Sequence, residues 1–313
     1  MLIKSEFKVG ARFKLIVRKK NEDICKETPW FNNLVLDSGL NAMGNPATNN
    51  LISHICVGSG NSAPNISQTV LDNPVARTNI VNGNDQVGAN TSVMPYFYYC
   101  RRNFRFNVGA AAGNLSEIGL GDYLGSLFNR TLIKDSGGNP TTITVLSDEI
   151  LDVLVELRVY PALNFSGSFN LLNKLGEVVS THTYTGNAII YVPAITWELM
   201  PVRVDFTLMS ARVIQNSVSP SNVSYPNDSG AIQKGMSQTR PNQRKLSISF
   251  LLGLNDGNSW NHKGFIAPIG NLLSKSDSSG LIGYKWDIDP PIPKNANKTL
   301  RYSFELDWDR YTP

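Results

Sequence analysis

The stretch NFRFNVGAAAGNLSEIGLGDYLGSLFNRTLIKDSGGNPTTITVLSDEILDVLVELRVYP, residues 103–161, decides how the rest of the chain reads. Near its end Leu151, Val153, Val155, Leu157 and Val159 alternate with Asp152, Glu156 and Arg158, and Leu154 is the one apolar break on the polar side. That period of two belongs to a half-buried strand, because successive side chains on an extended backbone point to opposite faces. At the start, Phe104 and Phe106 share a face with Arg102, while Arg101, Asn103 and Arg105 point the other way. Between the two strands lie small residues, glycines and turn formers, with no residue set that reads as chemistry. Within them, residues 119–130 are compatible with a short helix through Tyr123, Leu124, Leu127 and Phe128, although its glycines weaken helical order. Residues 128–133 read as a strand, Asp135-Ser-Gly-Gly-Asn-Pro as a turn, and residues 141–145 as the start of a partner strand.

Upstream, Phe13, Leu15 and Val17 against Arg12, Lys14 and Arg18 predict a first strand over 7–18, with a hairpin turn at Asn21-Glu-Asp and a second strand toward Trp30. Residues 34–36 form a short strand, and Asp37 or Ser38 caps a helical turn that ends at Gly44. A loop over 45–50, a strand over 51–57, a helical turn begun by Ser67, and a loop through 79–92 with a turn at Asn82-Gly83 lead to an aromatic strand over 96–106. Downstream, Leu172, residues 178–179, 188–191 and 202–208 are strand candidates. Leu246, Ile248 and Phe250 restart the alternation, and Leu300, Tyr302, Phe304, Leu306 and Trp308 close it. Residues 215–243, poor in apolar side chains and rich in turn formers, read as a long surface loop or arm. The expectation is an all-β fold, mainly antiparallel and β-sandwich-like, with long loops and a few short helices. It divides into an N-terminal β region over 1–160 and a C-terminal one over 161–313, or forms one continuous domain.

A chain of 313 residues buries a substantial core, roughly 75% of its unfolded surface. Charged residues make up 17%, and Asn, Ser, Thr and Gly carry the polarity instead, which lowers the desolvation cost of packing copies together. A net charge of +4 is too mild to suggest nucleic acid. The basic groups Lys14, Arg18, Lys19, Lys20 and Arg101, Arg102, Arg105 read better as solvated strand faces, although Tyr96, Phe97, Tyr98 and Tyr99 precede the second. Cys25, Cys56 and Cys100 are few and widely spaced, so neither a disulfide framework nor a zinc site is indicated. The N-terminus lacks a signal peptide's apolar core, and no apolar run approaches the roughly 18 residues of a membrane span. Folding in a cytosol is expected, with the sequons at Asn129 and Asn297 unused.

His54, His182 and His262 sit in unrelated contexts, and no metalloprotease, serine-hydrolase or Walker-type motif occurs. Gly119, Gly121 and Gly125 do not open a long helix within a strand–helix–strand unit, so they read as a turn rather than a dinucleotide loop. Asp287 with Asp289, and Asp307 with Asp309, have strand spacing that places each pair on one face, where solvated carboxylates are the ordinary case and a cation or glycoside chemistry the special one. Among the tryptophans, Trp197 and Trp308 fall on alternating strands and read as core. Trp260 lies in a polar stretch and is the one candidate platform for stacking on glycan. No catalytic residue, cofactor or metal ligand is assigned.

Several segments resemble bacteriophage virion proteins of the tail or neck region: residues 30–44 (WFNNLVLDSGLNAMG), 55–78 (ICVGSGNSAPNISQTVLDNPVART), 109–121, 127–161, and the ending 289–310 (DPPIPKNANKTLRYSFELDWDR). The resemblance spans about two thirds of the chain and is thinnest over 161–280. It implies a non-enzymatic building block of the sheath, collar or fibre-attachment kind. Such a subunit is made in the bacterial cytoplasm, carried in the virion tail, and partnered by copies of itself and other tail or neck proteins. Loop 107–126 and arm 215–243 are the expected contact elements. A host-surface glycan-binding module using Trp260 is the alternative.

Overall fold

A computed structural model describes residues 2–44, 51–195, 197, 210–270, 272–273 and 282–312. The chain begins with β1 (Leu2–Lys19), β2 (Ile24–Glu27), β3 (Phe31–Asn32), β4 (Leu34–Val35) and α1 (Asp37–Gly44). Next come β5 (His54–Gly58), β6 (Pro74–Thr78), β7 (Gln86–Asn90), β8 (Phe97–Phe106), β9 (Gly113–Leu115), β10 (Glu117–Gly121), β11 (Leu127–Leu132) and β12 (Ile143–Val145). The middle holds β13 (Glu149–Pro161), β14 (Phe165–Leu172), β15 (Val178–Ile189) and β16 (Ser210–Ile214). Last are β17 (Ile232–Gly235), β18 (Ser237–Asn242), β19 (Lys245–Leu252), β20 (Trp260–Pro268), β21 (Gly283–Lys294) and β22 (Leu300–Arg310). Strands account for 57% of the chain against 3% helix, so the fold is all-β, as the alternation implied.

The backbone of the molecule is a nine-stranded sheet ordered β18-β19-β22-β1-β13-β8-β7, with β2 and β3 also pairing β1. The first quoted alternation forms its centre, where Leu15 opposes Val153 on β13 and Val153 opposes Phe104 on β8. A five-stranded sheet, β4-β11-β10-β5-β6, comes wholly from the first 160 residues, and a six-stranded sheet, β14-β15-β21-β20-β16-β17, wholly from the later ones. The nine-stranded sheet draws on both regions, joined where β1 runs parallel to β22 from Leu2↔Ser303 to Val9↔Arg310. One continuous apolar cluster holds the inner residues of the three larger sheets, from Phe13, Val155 and Phe104 to Ile118, Phe128, Phe265 and Trp286. Trp286 stacks on Phe304 at 5.3 Å, and Phe265 meets Tyr302 edge-on at 4.8 Å, so aromatic rings knit the six-stranded sheet to β22. Trp308 and Trp197 are buried, and the Trp308 Nε1–H donates to the Leu40 carbonyl at 2.9 Å.

Local expectations met mixed outcomes. Residues 119–130 are not helical: β10 and β11 pair antiparallel from Glu117↔Leu132 to Gly121↔Leu127. The turn 122–126 between them is closed by the Asp122 carboxylate, which accepts from the backbone N–H groups of Leu124 and Ser126. Three glycines remove helix propensity, while apolar side chains on both faces suit a fully buried strand. The turn expected at Ser67 begins at Asn65 instead, whose side chain accepts from the Ser67 N–H at 3.0 Å. The stretch 79–92 contains strand β7, not only loop, because its Gln86–Asn90 backbone pairs with β8. The strand expected over 202–208 and the loop over 45–50 lie outside the described residues.

Candidate functional site

The charged face of the nine-stranded sheet is where the two basic clusters converge. Glu156 and Asp152 of β13 are almost fully buried there. Glu156 accepts from Arg12 Nε at 2.8 Å, Arg158 Nε at 2.7 Å and Arg101 Nε at 3.0 Å. Asp152 accepts from Arg18 Nε at 2.8 Å and Arg105 Nε at 2.7 Å, and Glu22 takes the outer edge of Arg105. The half-buried Trp30 ring roofs this ladder, 4.5 Å from the Arg12 guanidinium and 5.0 Å from that of Arg101. Burial pushes the Glu156 carboxyl upward, but hydrogen bonds from Arg12, Arg101 and Arg158 outweigh it, and the group ends below the usual carboxylate range. The face expected to be solvated and basic is thus an ion-paired ladder that keeps a net positive charge, because β13 sets carboxylates between the guanidiniums of β1 and β8. Arg102, on the opposite face, pairs with Asp85 at 2.7 Å and lies over Trp197.

A second cluster was invisible to motif reading. Glu117 of β10 and Arg130 of β11 are both completely buried and meet at 2.8 Å. Arg130 also donates to Asp72 at 2.7 Å and to Gln68 at 2.9 Å. Glu117 accepts the backbone N–H groups of Gly60, Asp72 and Asn73 at 3.0, 3.1 and 2.8 Å. Loop 59–73 is thereby pinned across the outer side of the five-stranded sheet, where Leu36, Cys56, Leu71 and Leu127 form a satellite cluster. A Cβ added to Gly60 would sit 2.5 Å from Glu117 Oε1, so only glycine brings the backbone close enough to be captured. The one signal in the sequence is a lone carboxylate in EIGLG and a lone guanidinium in LFNRTL, strands that hold no other charged residue. β10 being wholly buried, the part of loop 107–126 from 117 to 121 is core and not a contact surface.

The arm at 215–243 is likewise not free. It contains β17 and β18, the latter pairing β19 at the edge of the nine-stranded sheet. Its first part, 215–231, straps the outer face of the six-stranded sheet over Ile189, Ile214 and Ile266, with Val218 fully buried. Lys285, 1% exposed, donates from Nζ to Asn222 Oδ1 at 2.9 Å and to the Ser224 carbonyl at 2.7 Å. Asp287 accepts from the Val218 N–H at 2.8 Å and from the Ser217 hydroxyl. Burial pulls the Lys285 ammonium down to about 8 against the opposing pull of Asp287. Asp287 is therefore a strap fastener, whereas its face-mate Asp289 is exposed. On β22, Asp307 pairs with Lys245 at 3.3 Å and Asp309 with Arg244 at 3.6 Å.

The histidines stay apart. His262 is buried and bonds Tyr302 through Nδ1 at 2.8 Å, and burial lowers its pKa to about 4. His182 lies between Ser180 and the Pro290 carbonyl, and His54 bonds Ser53. Cys25 is exposed while Cys56 and Cys100 are buried, and the three form no disulfide. Among the described residues no three His, Cys, Asp or Glu side chains are arranged to hold a metal ion. Trp260 is the first residue of β20, half-buried and paired with Lys294, not part of an open loop. Among the described residues no helix is long and apolar enough to cross a membrane. Asn129, the sequon residue on β11, is fully buried, and its Oδ1 accepts the Leu120 N–H at 3.0 Å.

The surface also exposes large apolar side chains. The β14–β15 hairpin ends in a turn at 173–177 flanked by Leu172, Val178 and Val179, all well exposed, and Leu175 at its apex is 82% exposed. A groove of about 360 Å³ beside edge strand β6 is lined by Cys56, Val70, Leu71, Val75, Arg77 and Leu124. A second, of about 530 Å³, lies between 32–34, 63–64 and 131–140. Neither brings together a nucleophile and a base. No protein family, curated protein or solved structure matches the chain.

Proposed function

We propose that this chain is a non-enzymatic structural subunit of a bacteriophage virion, assembling as an oligomer in the tail or neck as a sheath, collar or fibre-attachment component. The observation that carries the assembly part is the β14–β15 hairpin, where four large aliphatic side chains stand in water on an ordered turn. Exposed large apolar side chains gathered at one end of a hairpin suit a protein interface. Among the described residues, each of the three large sheets also ends in strands that pair on one side only, a ready template for neighbours. The phage part rests on the resemblance of residues 30–44, 55–78, 109–121, 127–161 and 289–310 to tail and neck proteins. The buried charged groups join strands to strands and loops to sheets, as expected of a building block. Native mass spectrometry of the purified chain, with proteomics of purified particles, tests the reading. Oligomers and a stoichiometric presence in virions are expected. A protein that is strictly monomeric and absent from particles sinks it.

A further inference from the structure

We propose that Lys285 of β21 and Asn222 of the strap 215–231 mature into an isopeptide bond, which turns a hydrogen-bonded fastening into a covalent one. The inference goes beyond the reading of the chain as a virion subunit and does not depend on it. Among the described residues the buried Lys285 Nζ donates to two groups, Asn222 Oδ1 at 2.9 Å and the Ser224 carbonyl at 2.7 Å. The same Asn222 Oδ1 accepts the Ser224 backbone N–H at 3.0 Å. Ser224 therefore grips both reactants: its carbonyl orients the amine, and its N–H lies where an oxyanion on the amide would form. The strap around them is fixed as well. The Val218 N–H donates to Asp287 at 2.8 Å, Asn187 Nδ2 to the Pro220 carbonyl at 3.0 Å, and the Ile190 N–H to the Val223 carbonyl at 2.9 Å. The amine thus faces the same amide at every moment, and proximity makes up for what a primary amide lacks as an electrophile.

Burial supplies the nucleophile, since an ammonium pulled down to about 8 spends part of its time near neutral pH as the free amine. The ammonium gives a proton to water, and the Nζ lone pair attacks Asn222 Cγ. The carbonyl electrons move onto Oδ1, where the Ser224 N–H receives them. A proton passes from Nζ to Nδ2, the Cγ–Nδ2 bond breaks, and ammonia leaves. One C–N bond forms and one breaks, so no oxidant or cofactor is needed. Asn222 is exposed and its Nδ2 makes no hydrogen bond among the described residues, which leaves ammonia a way out. The product amide keeps the contacts already present, its N–H on the Ser224 carbonyl and its oxygen on the Ser224 N–H. The pair is open when the chain first folds, and the titration of Lys285 belongs to that open form. Lys294 and Asn258 provide the contrast. The buried Lys294 Nζ also donates to an amide oxygen, Asn258 Oδ1 at 2.8 Å. There, however, Nδ2 is tied to the Leu254 carbonyl at 2.6 Å, and among the described residues no backbone N–H reaches the amide oxygen. That pair stays unlinked.

The test is a time course on the full chain held at pH 9, above the Lys285 pKa of about 8, and read by intact mass and tryptic mapping. Progressive loss of one ammonia is expected, with a branched peptide joining the fragment that holds Asn222 to the one that holds Lys285. A succinimide at Asn82-Gly83 would also release ammonia, so the branched peptide is the deciding readout. Lys285→Arg and Asn222→Ala should both abolish it. Asn222→Ala alters an exposed side chain and carries the comparison should Lys285→Arg unfold. The matured wild type should also lose the stability change that an open Lys285 contributes above pH 8. Tryptic maps that still show Lys285 and Asn222 wholly in separate peptides after weeks at pH 9 overturn the proposal. A branched peptide joining Lys294 to Asn258 instead overturns the role given to Ser224.

Discussion

The two smaller sheets solve one problem in two ways. Each has its inner face in the common core and its outer face crossed by a loop, 59–73 over the five-stranded sheet and 215–231 over the six-stranded one. The first loop is held by a fully buried carboxylate–guanidinium pair, Glu117 with Arg130, which between them also bind three backbone amides and the side chains of Asp72 and Gln68. The second is held by Lys285, a buried amine facing neutral acceptors, and by Asp287 at the margin. A buried ion pair tolerates its desolvation only while both partners and their hydrogen bonds are present. A lone amine has another route, since it can shed its proton and still donate two hydrogen bonds. The first loop should therefore be intolerant of losing either partner, and the second should respond to pH.

That contrast can be broken in order of expected effect. Arg130→Met strands Glu117 without its cation and is expected to cost about 3–5 kcal/mol in denaturant unfolding. A loss under about 1 kcal/mol would show that the backbone amides alone satisfy Glu117. For Lys285, the folded pKa of about 8 lies below the unfolded value of 10.5. The folded state then holds fewer protons between those values, and stability rises with pH across about 8 to 10.5, by up to about 3 kcal/mol. Lys285→Met should remove that rise, as read from thermal melts between pH 7 and 10.5, whereas an unchanged slope would assign it elsewhere. His262, with a folded pKa of about 4 against 6.5 unfolded, gives stability that is complete above pH 6.5 and drains as pH falls toward 4. His262→Gln should flatten that acid limb. Smallest is Gly264→Ala, whose Cβ would lie 2.5 Å from the Asn216 carbonyl and 2.7 Å from Val218 Cγ1. Lifting the strap should cost about 1–3 kcal/mol and open residues 215–231 to proteolysis, with β1 and β13 unaffected in hydrogen exchange.

Alternation along 7–18, 151–159 and 300–308 fixed strands, faces and most of the core without any structure, because extended backbone sends neighbouring side chains to opposite sides whatever the strand pairs with. It also put Arg102 on the inner face and Arg101 and Arg105 on the outer one, as found. It failed at 119–130, where glycines and apolar residues carry no period that separates a buried strand from a weak helix. It failed again over 215–243, whose polar composition looks the same whether its groups face water or a fastening such as Lys285.

Residue order alone thus determined an all-β chain with a central alternating sheet, since that pattern is local and depends only on side chain and backbone geometry. Which carboxylate meets which guanidinium was settled only by pairing strands as distant as β1, β8 and β13, and β10 with β11 beneath loop 59–73. Partners separated by 13 to 144 positions leave no trace in a sequence window, because the forces joining them act across space and not along the chain.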